Sequence, residues 1–421
     1  MLKISKFIPF FILINVIFTF RPYVELKISN TFFWWSVNAI TLIILSIYIK
    51  KGYKPLKDEP LFWVKSYLIW MLLSIIHGIF IAETYWDWKG LVGNTFGLLL
   101  PGIIFAAVNI KIPQQILSVY IKVAIPLLLI ISPILGLRGL VFSFYGLTFF
   151  LLFYPLIPNP FKIIILLLSI VTIIIDVTVR AYFIKISFAF LLSFLYYFRF
   201  FISKRVLNLL KLSFFLIPFV FFSLAVFTSY NILDTDDEIT VKKEVEKGEI
   251  KNENLLVDTR SGLYEEVLDT ADKYNTWLFG RSPARGNETR MFAKLKKNTG
   301  RKERLGNEVG VLNIFMWTGT IGVVLYFMML FKASTIAIKR SNNIWAKILG
   351  LYIAFRWIVF WVEDIPNFTL NHFVLMLMIG LAYSSWFRKM TNKEVEIWIK
   401  GIFYKKYRII DEKYSGINNL S

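Results

Sequence analysis

Long apolar stretches recur along nearly the whole chain, separated by short polar connections and by one long polar segment. These stretches lack the strict alternation of half-buried strands, and they are apolar on every side rather than along one stripe. Runs of about twenty such residues have the length and character of membrane-spanning helices. The pattern predicts spans over residues 5–21, 31–49, 61–82, 91–109, 115–135, 139–157, 161–178, 182–198, 211–230, 308–331, 344–362 and 367–386. The fold class is therefore all-α, a polytopic helical membrane protein with about twelve transmembrane helices. A transmembrane β-barrel is excluded because its segments would alternate polar and apolar.

This pattern divides the chain into a bundle of about nine helices over 1–230, a large loop over 231–306, about three helices over 307–386 and a basic tail over 387–421. The first run starts with basic residues, as signal peptides do. It lacks a small-x-small cleavage site and runs into Arg21-Pro22, so it reads as an uncleaved first span. Within the loop, SGLYEEVLDTADKYNTWLF sets Leu263, Val267, Leu268, Ala271, Tyr274 and Leu278 at helical spacing. A partly helical loop follows, with Asp258 or Thr259 as the cap and Gly280 as the stop.

Composition agrees, with 57% hydrophobic residues where soluble domains hold about 45–50%. A net charge of +20 changes meaning in such a chain. Lys and Arg collect in alternate connections, at Lys50, Lys51, Lys54 and Lys57, at Arg199, Lys204 and Arg205, at Lys339 and Arg340, and along the tail. By the positive-inside rule both termini are cytoplasmic and the loop is external. The loop itself carries fifteen acidic and fifteen basic residues and so no net charge. No basic stripe is interleaved with aromatic residues as stacking on bases requires, so nucleic acid is not an expected partner. The absence of cysteine excludes disulfides and thiolate metal sites, and His77 and His372 are too far apart in sequence to suggest a metal cluster. No metal or cofactor is expected.

Polar groups at the ends of spans are costly and mark candidate sites. Asp176, Arg180, Arg260, Glu308 and the pair Glu363-Asp364 all fall on the external side. Each has a plain structural alternative. Arg180 can snorkel to headgroups, and Asp176 can pair with it one turn away. Glu308 can favour a helix N-terminus through the helix dipole, and Glu363-Asp364 can form a solvated turn before Pro366. Arg281, Arg285 and Arg290 suit lipid phosphates or the loop's own acids. An arginine fork matches phosphate oxygens, a carboxylate can activate a hydroxyl nucleophile, and a loop folded above them can limit water. No nucleotide-phosphate loop is apparent, so an activated substrate would arrive already in the membrane.

The segment DVTVRAYFIKI, the loop passages TRSGLYEEVLD and LFGRSPARGN, and the following GNEVGVLNIFMWTGTIGVVLYFMML resemble the O-antigen ligase and polymerase superfamily over about residues 165–331. The resemblance implies a glycosyltransferase in the bacterial cytoplasmic (inner) membrane. It would move a glycan from undecaprenyl diphosphate to a sugar hydroxyl on the outer face, without a metal. Carried over by position, Arg180 and Arg260 bind the donor diphosphate. Arg281, Arg285, Arg290 and Asp176 are candidate substrate-binding residues. Ligases of the superfamily place a histidine at the start of the post-loop span, where this chain has Gly306-Asn307-Glu308. That departure favours the polymerase branch and leaves Glu308 as candidate base. The implied partners are lipid-linked donor and acceptor oligosaccharides, the lipid bilayer and, as a further candidate, a chain-length regulator protein. A ligase of the same superfamily and a lipid-linked oligosaccharide flippase remain alternatives.

Overall fold

A computed structural model describes residues 6–20, 22, 31–53, 56, 58–135, 137–175, 180–200, 203–228, 240–245, 249–254, 260–289, 303–364 and 366–409. The protein is an all-α, membrane-embedded bundle. Its helices are α1 (Phe11–Phe20), α2 (Thr31–Gly52), α3 (Phe62–Ile81), α4 (Tyr85–Ala107), α5 (Lys111–Ile131), α6 (Leu137–Ser143), α7 (Leu147–Leu152), α8 (Asn159–Ile175), α9 (Arg180–Ser193) and α10 (Lys204–Thr228). After these come α11 (Ser261–Tyr274), α12 (Gly310–Lys339), α13 (Ile344–Phe360), α14 (Leu370–Tyr383), α15 (Ser385–Lys389) and α16 (Asn392–Phe403). Six helices among the described residues are long and apolar enough to cross a membrane: α2, α3, α4, α5, α10 and α12.

Uniform hydrophobicity in the sequence hides a division of labour. Every residue of α14 is buried, so this helix forms the axis of the bundle. Helices α1, α12 and α13 pack around it, with α12 lying between α13 and α3. By contrast α3, α8 and α10 present rows of bare apolar side chains, among them Phe80, Ile174 and Leu209, as lipid contact requires.

Breaks in the helices have local causes. In α5, Pro126 lacks an N–H and its ring presses on the carbonyl four residues back, and the preceding turn widens to a π-helix over Tyr120–Ala124. The apolar run 139–157, which reads as a single span, is split into α6 and α7 by a turn at Phe144–Gly146. Gly146 sits so close to Tyr120 that a Cβ there would lie 2.5 Å from the ring. The carbonyls freed at the turn are met by side chains, since the Tyr120 hydroxyl donates to Ser143 O (2.9 Å) and the Tyr182 hydroxyl to Phe144 O (3.2 Å). Irregular backbone survives at membrane depth only when protein satisfies it in this way.

The most consequential break is in α12. Gly319 adopts φ +70° and ψ −174°, and the hydrogen-bond ladder stops there. The loop supplies the missing partners. Trp277 O accepts from Thr320 N (2.8 Å) and Leu278 O from Ile321 N (3.4 Å), while Arg281 N donates to Met316 O (2.7 Å) and Ser282 N to Trp317 O (3.1 Å). The Trp70 indole of α3 donates to Thr318 O at 2.9 Å. Gly280 turns the loop at φ +74° against Gly319, and a Cβ on Gly319 would lie 2.0 Å from Leu278 O.

The loop is partly helical, as its periodicity predicts, but with different ends. Helix α11 begins after Arg260, whose side chain does not cap it, and closes at Asn275 in the left-handed region. Gly280 therefore terminates no helix; it makes the contact with α12. Asp258 and Thr259 lie outside the described residues. Two short antiparallel pairs complete the loop, Thr240–Val245 with Glu249–Asn254 and Asn287–Glu288 with Glu303–Arg304. The tail also begins as packed structure, with Gln114 donating to Trp398 O (2.7 Å) and the Trp398 indole to Ile110 O (3.0 Å).

Replacing Gly319 by alanine forces a side chain into a positive-φ position, worth roughly 1–3 kcal/mol, and drives its Cβ into the loop backbone. Gly319→Ala is expected to detach the loop, read as faster protease cleavage within 276–285 in membranes. Gly93→Ala, where a Cβ meets open space, is expected to leave the cleavage rate unchanged.

Candidate functional site

Side chains from five parts of the chain meet under the loop. Helix α9 carries Lys185, the α6–α7 turn Tyr145, α13 Arg356, the α13–α14 connection Glu363, and α14 Asn371. Lys185 Nζ lies 2.5 Å from Glu363 Oε1 and 4.0 Å from the centre of the Tyr145 ring. The Tyr145 hydroxyl donates to the same carboxylate oxygen at 3.3 Å. Arg356 donates to Asn371 Oδ1 at 3.0 Å and lies 3.9 Å from Glu363 Oε2. The Lys185 and Arg356 side chains are 0% and 3% exposed and that of Glu363 13%, with its Oε2 atom enclosed, so the trio is buried. Two cations thus face one paired carboxylate. Arg356 Nε and Glu363 Oε2 find no hydrogen-bond partner among the described residues. Burial works to raise the Glu363 carboxyl, but the charges of Lys185 and Arg356 outweigh it and hold the group below its ordinary range.

A chain of amides continues from this cluster. Asn313 donates to Asp364 Oδ1 at 2.9 Å and to Asn307 O at 2.8 Å, and Asn307 in turn donates to Asn287 Oδ1 at 3.2 Å. Asn367 donates to the other Asp364 oxygen, and its carbonyl lies 3.1 Å from His372 Nδ1. Burial pushes the Asp364 carboxyl up to about 7, against the opposing effect of the Asn313 and Asn367 bonds. The connection is tied to α12 by Gly310 N, which donates to Glu363 O at 2.9 Å, and to the loop by the Tyr264 hydroxyl, which donates to Trp361 O at 2.7 Å. Glu363-Asp364 is thus no freely solvated turn.

The residues singled out from sequence take several positions. Arg260 stands immediately before α11, one turn from Tyr264 and so above the Trp361–Asp364 segment. Arg180 is exposed and opens α9, five residues before Lys185. Glu308 is also exposed and pairs with Arg304 at 3.3 Å. Arg281 is held within the loop by Gly286 O (2.5 Å) and Glu303 (3.0 Å) and lies over the Tyr274 ring. Arg285 reaches Ile81 O (3.3 Å), Glu83 (3.3 Å) and Asp87 (3.8 Å), tying the loop to the start of α4. Asp176 and Arg290 lie outside the described residues.

Sequence reading passed over Lys185, Arg356, Tyr145 and Asn371. The first two had a signal: each is a lone cation inside an apolar run, where ionisable groups are rare and functional. Tyr145 and Asn371 had none, because their roles come from a helix break and a crossing. Comparison with family models, curated proteins and solved structures finds no match to this chain.

The charge count orders the variants. Glu363→Gln leaves two buried cations facing no paired carboxylate and is expected to cost about 3–5 kcal/mol, whereas Lys185→Met leaves the balanced Arg356–Glu363 pair and costs less. Thermal unfolding in detergent checks this order.

Asp364 gives a pH dependence. Its carboxyl holds its proton more tightly folded than unfolded, so stability declines as pH rises from the ordinary value of 3.8 to about 7. The Glu363 effect has the opposite sign and varies only below 4.5, outside most of that window. The unfolding midpoint is expected to drop between about pH 5 and 7, and Asp364→Asn to flatten that slope.

Proposed function

We propose that this protein is a membrane-embedded glycosyltransferase of the polysaccharide-polymerase type. Its donor is a glycan chain on undecaprenyl diphosphate, and its acceptor is the terminal sugar hydroxyl of a lipid-linked repeat unit. The acceptor oxygen attacks the anomeric carbon, and undecaprenyl diphosphate departs. Inversion is expected for such a direct displacement. The reaction would take place at the outer face of a bacterial cytoplasmic membrane, with the loop outside and both termini inside, as the distribution of Lys and Arg favours.

The observation that carries this reading is the placement of Arg260. It opens a loop helix fastened by Tyr264 above a buried cluster of Lys185, Arg356 and Glu363, at the loop end of the bundle. A permanently charged fork on a helix fastened next to a carboxylate-bearing segment suits a lipid diphosphate and a sugar hydroxyl. Arg180 opens α9, the helix that carries Lys185, and supplies the second guanidinium for the diphosphate. Charge building on the leaving group is what such donors stabilise, at about 3 kcal/mol each. Arg281 and Arg285 serve the same site indirectly by pinning the loop.

The test is the surface polysaccharide of the native host after deletion of the gene. Deletion is expected to leave single repeats in place of the ladder. Wild type should restore the ladder, and Arg260→Ala, at normal membrane levels, should not. Loss of every repeat with accumulation of long lipid-linked chains would identify a ligase instead, and an unchanged ladder would point to a transporter.

A further inference from the structure

The cluster beneath the loop contains more than a binding surface. Among the described residues Glu363 is the carboxylate paired with both Lys185 and Arg356, and its second oxygen, Oε2, has no hydrogen-bond donor there. Arg356 likewise keeps Nε without an acceptor among them, although its side chain is only 3% exposed. An open acceptor beside an open donor, both enclosed by protein next to Tyr145 and Asn371, is an arrangement that one more polar partner would complete. Two cations against one carboxylate leave that partner a net positive surrounding, provided Asp364, near 7 in this setting, keeps its proton.

We propose that Glu363 is the proton acceptor for the acceptor sugar, and that Lys185 and Arg356 are passed from Glu363 to the donor's diphosphate when the donor binds. This rests on the glycosyl-transfer reading above and changes its base from Glu308 to Glu363. Glu308 is solvent-exposed with its charge met by Arg304. Glu363 instead lies where the loop helix is fastened, two residues after the carbonyl that receives the Tyr264 hydroxyl.

The coupling has a physical purpose. While Lys185 and Arg356 hold Glu363, it is too weak a base to take a proton from a hydroxyl. A diphosphate that draws the cations away restores its proton affinity only when the donor is in place. In the transfer step the acceptor O–H gives its proton to Glu363, and the oxygen bonds to the anomeric carbon. The bond from that carbon to the diphosphate breaks with its electron pair going to the diphosphate, beside Lys185 and Arg356. Among the described residues, Lys185, Arg356, Tyr145, Tyr352, Asn371 and Asp364 are polar or charged groups around Glu363 in this step.

The experiment uses full-length protein in vesicles with the host's diphosphate-linked repeat unit as substrate. The single variant Glu363→Gln risks misfolding because it unbalances two cations. The double variant Lys185→Met/Glu363→Gln keeps the net charge of the trio and removes the base. Both are expected to lower kcat by about a hundredfold or more with KM within about threefold for Glu363→Gln, and Glu308→Gln to keep at least about a third of wild-type kcat. Lys185→Met alone is expected to raise the donor KM by about tenfold, as loss of one charge-assisted contact does. The assignment of the base is overturned if the double variant, present at normal membrane levels, keeps more than about a tenth of wild-type kcat. An unchanged donor KM in Lys185→Met overturns the transfer of cations. Wild-type vesicles that elongate nothing would instead sink the polymerase reading itself.

Discussion

Inside a membrane an unpaired backbone group has no water to turn to, and that constraint governs how this protein joins its loop to its bundle. Helix α12 stops its own ladder at Gly319 and hands four backbone groups to the loop, which answers with Trp277, Leu278, Arg281 and Ser282. The loop is thereby part of the membrane helix rather than a cover laid on top. Two glycines make the approach possible, Gly280 and Gly319, each with positive φ and each without a Cβ at the contact. From that seam the rest follows. The loop's next turn carries Arg285 to the start of α4, and its preceding helix sets Tyr264 on the α13–α14 connection.

The polar cluster depends on the same logic. Its members would be prohibitive singly in an apolar bundle, and they are tolerable because each faces another. Lys185 and Arg356 need Glu363, and Glu363 is held in place through its backbone by Gly310 and through its neighbour Asp364 by Asn313. Both anchors are in the first turn of α12, the helix whose later turn receives the loop. Loop position and cluster geometry are thus set by one helix. This gives a physical route between the loop and the ion pairs, through one helix.

Hydropathy made the fold class legible, because apolar runs of span length leave few alternatives. It did not distinguish α14, sealed on all sides, from α3, half of it facing outward, since lipid and protein interior favour the same residues. The helix breaks were also hidden. TGTIG reads as a small-residue stretch, and only the crossing of Gly280 shows why glycine is needed at 319. For the site, the sequence placed Arg260 and Glu363-Asp364 on a common side, and Tyr264, one turn after Arg260, is bonded to Trp361, two residues before Glu363. It could not place Lys185 against Glu363, because pairing across the bundle depends on which faces meet. Glu308 drew attention through its position before a span, yet the chain turns it outward to Arg304.

Lys185 and Glu363 are separated by 178 residues of sequence. A ribosome therefore delivers the lysine to the membrane long before its counter-charge exists. In the interval α9 carries an ammonium group that is costly in lipid, which favours the water boundary or a neighbouring protein as its surrounding. Completion of the cluster is then tied to synthesis of α13 and α14. A chain that stops before residue 363 is left with a Lys185 ammonium that lacks this counter-charge.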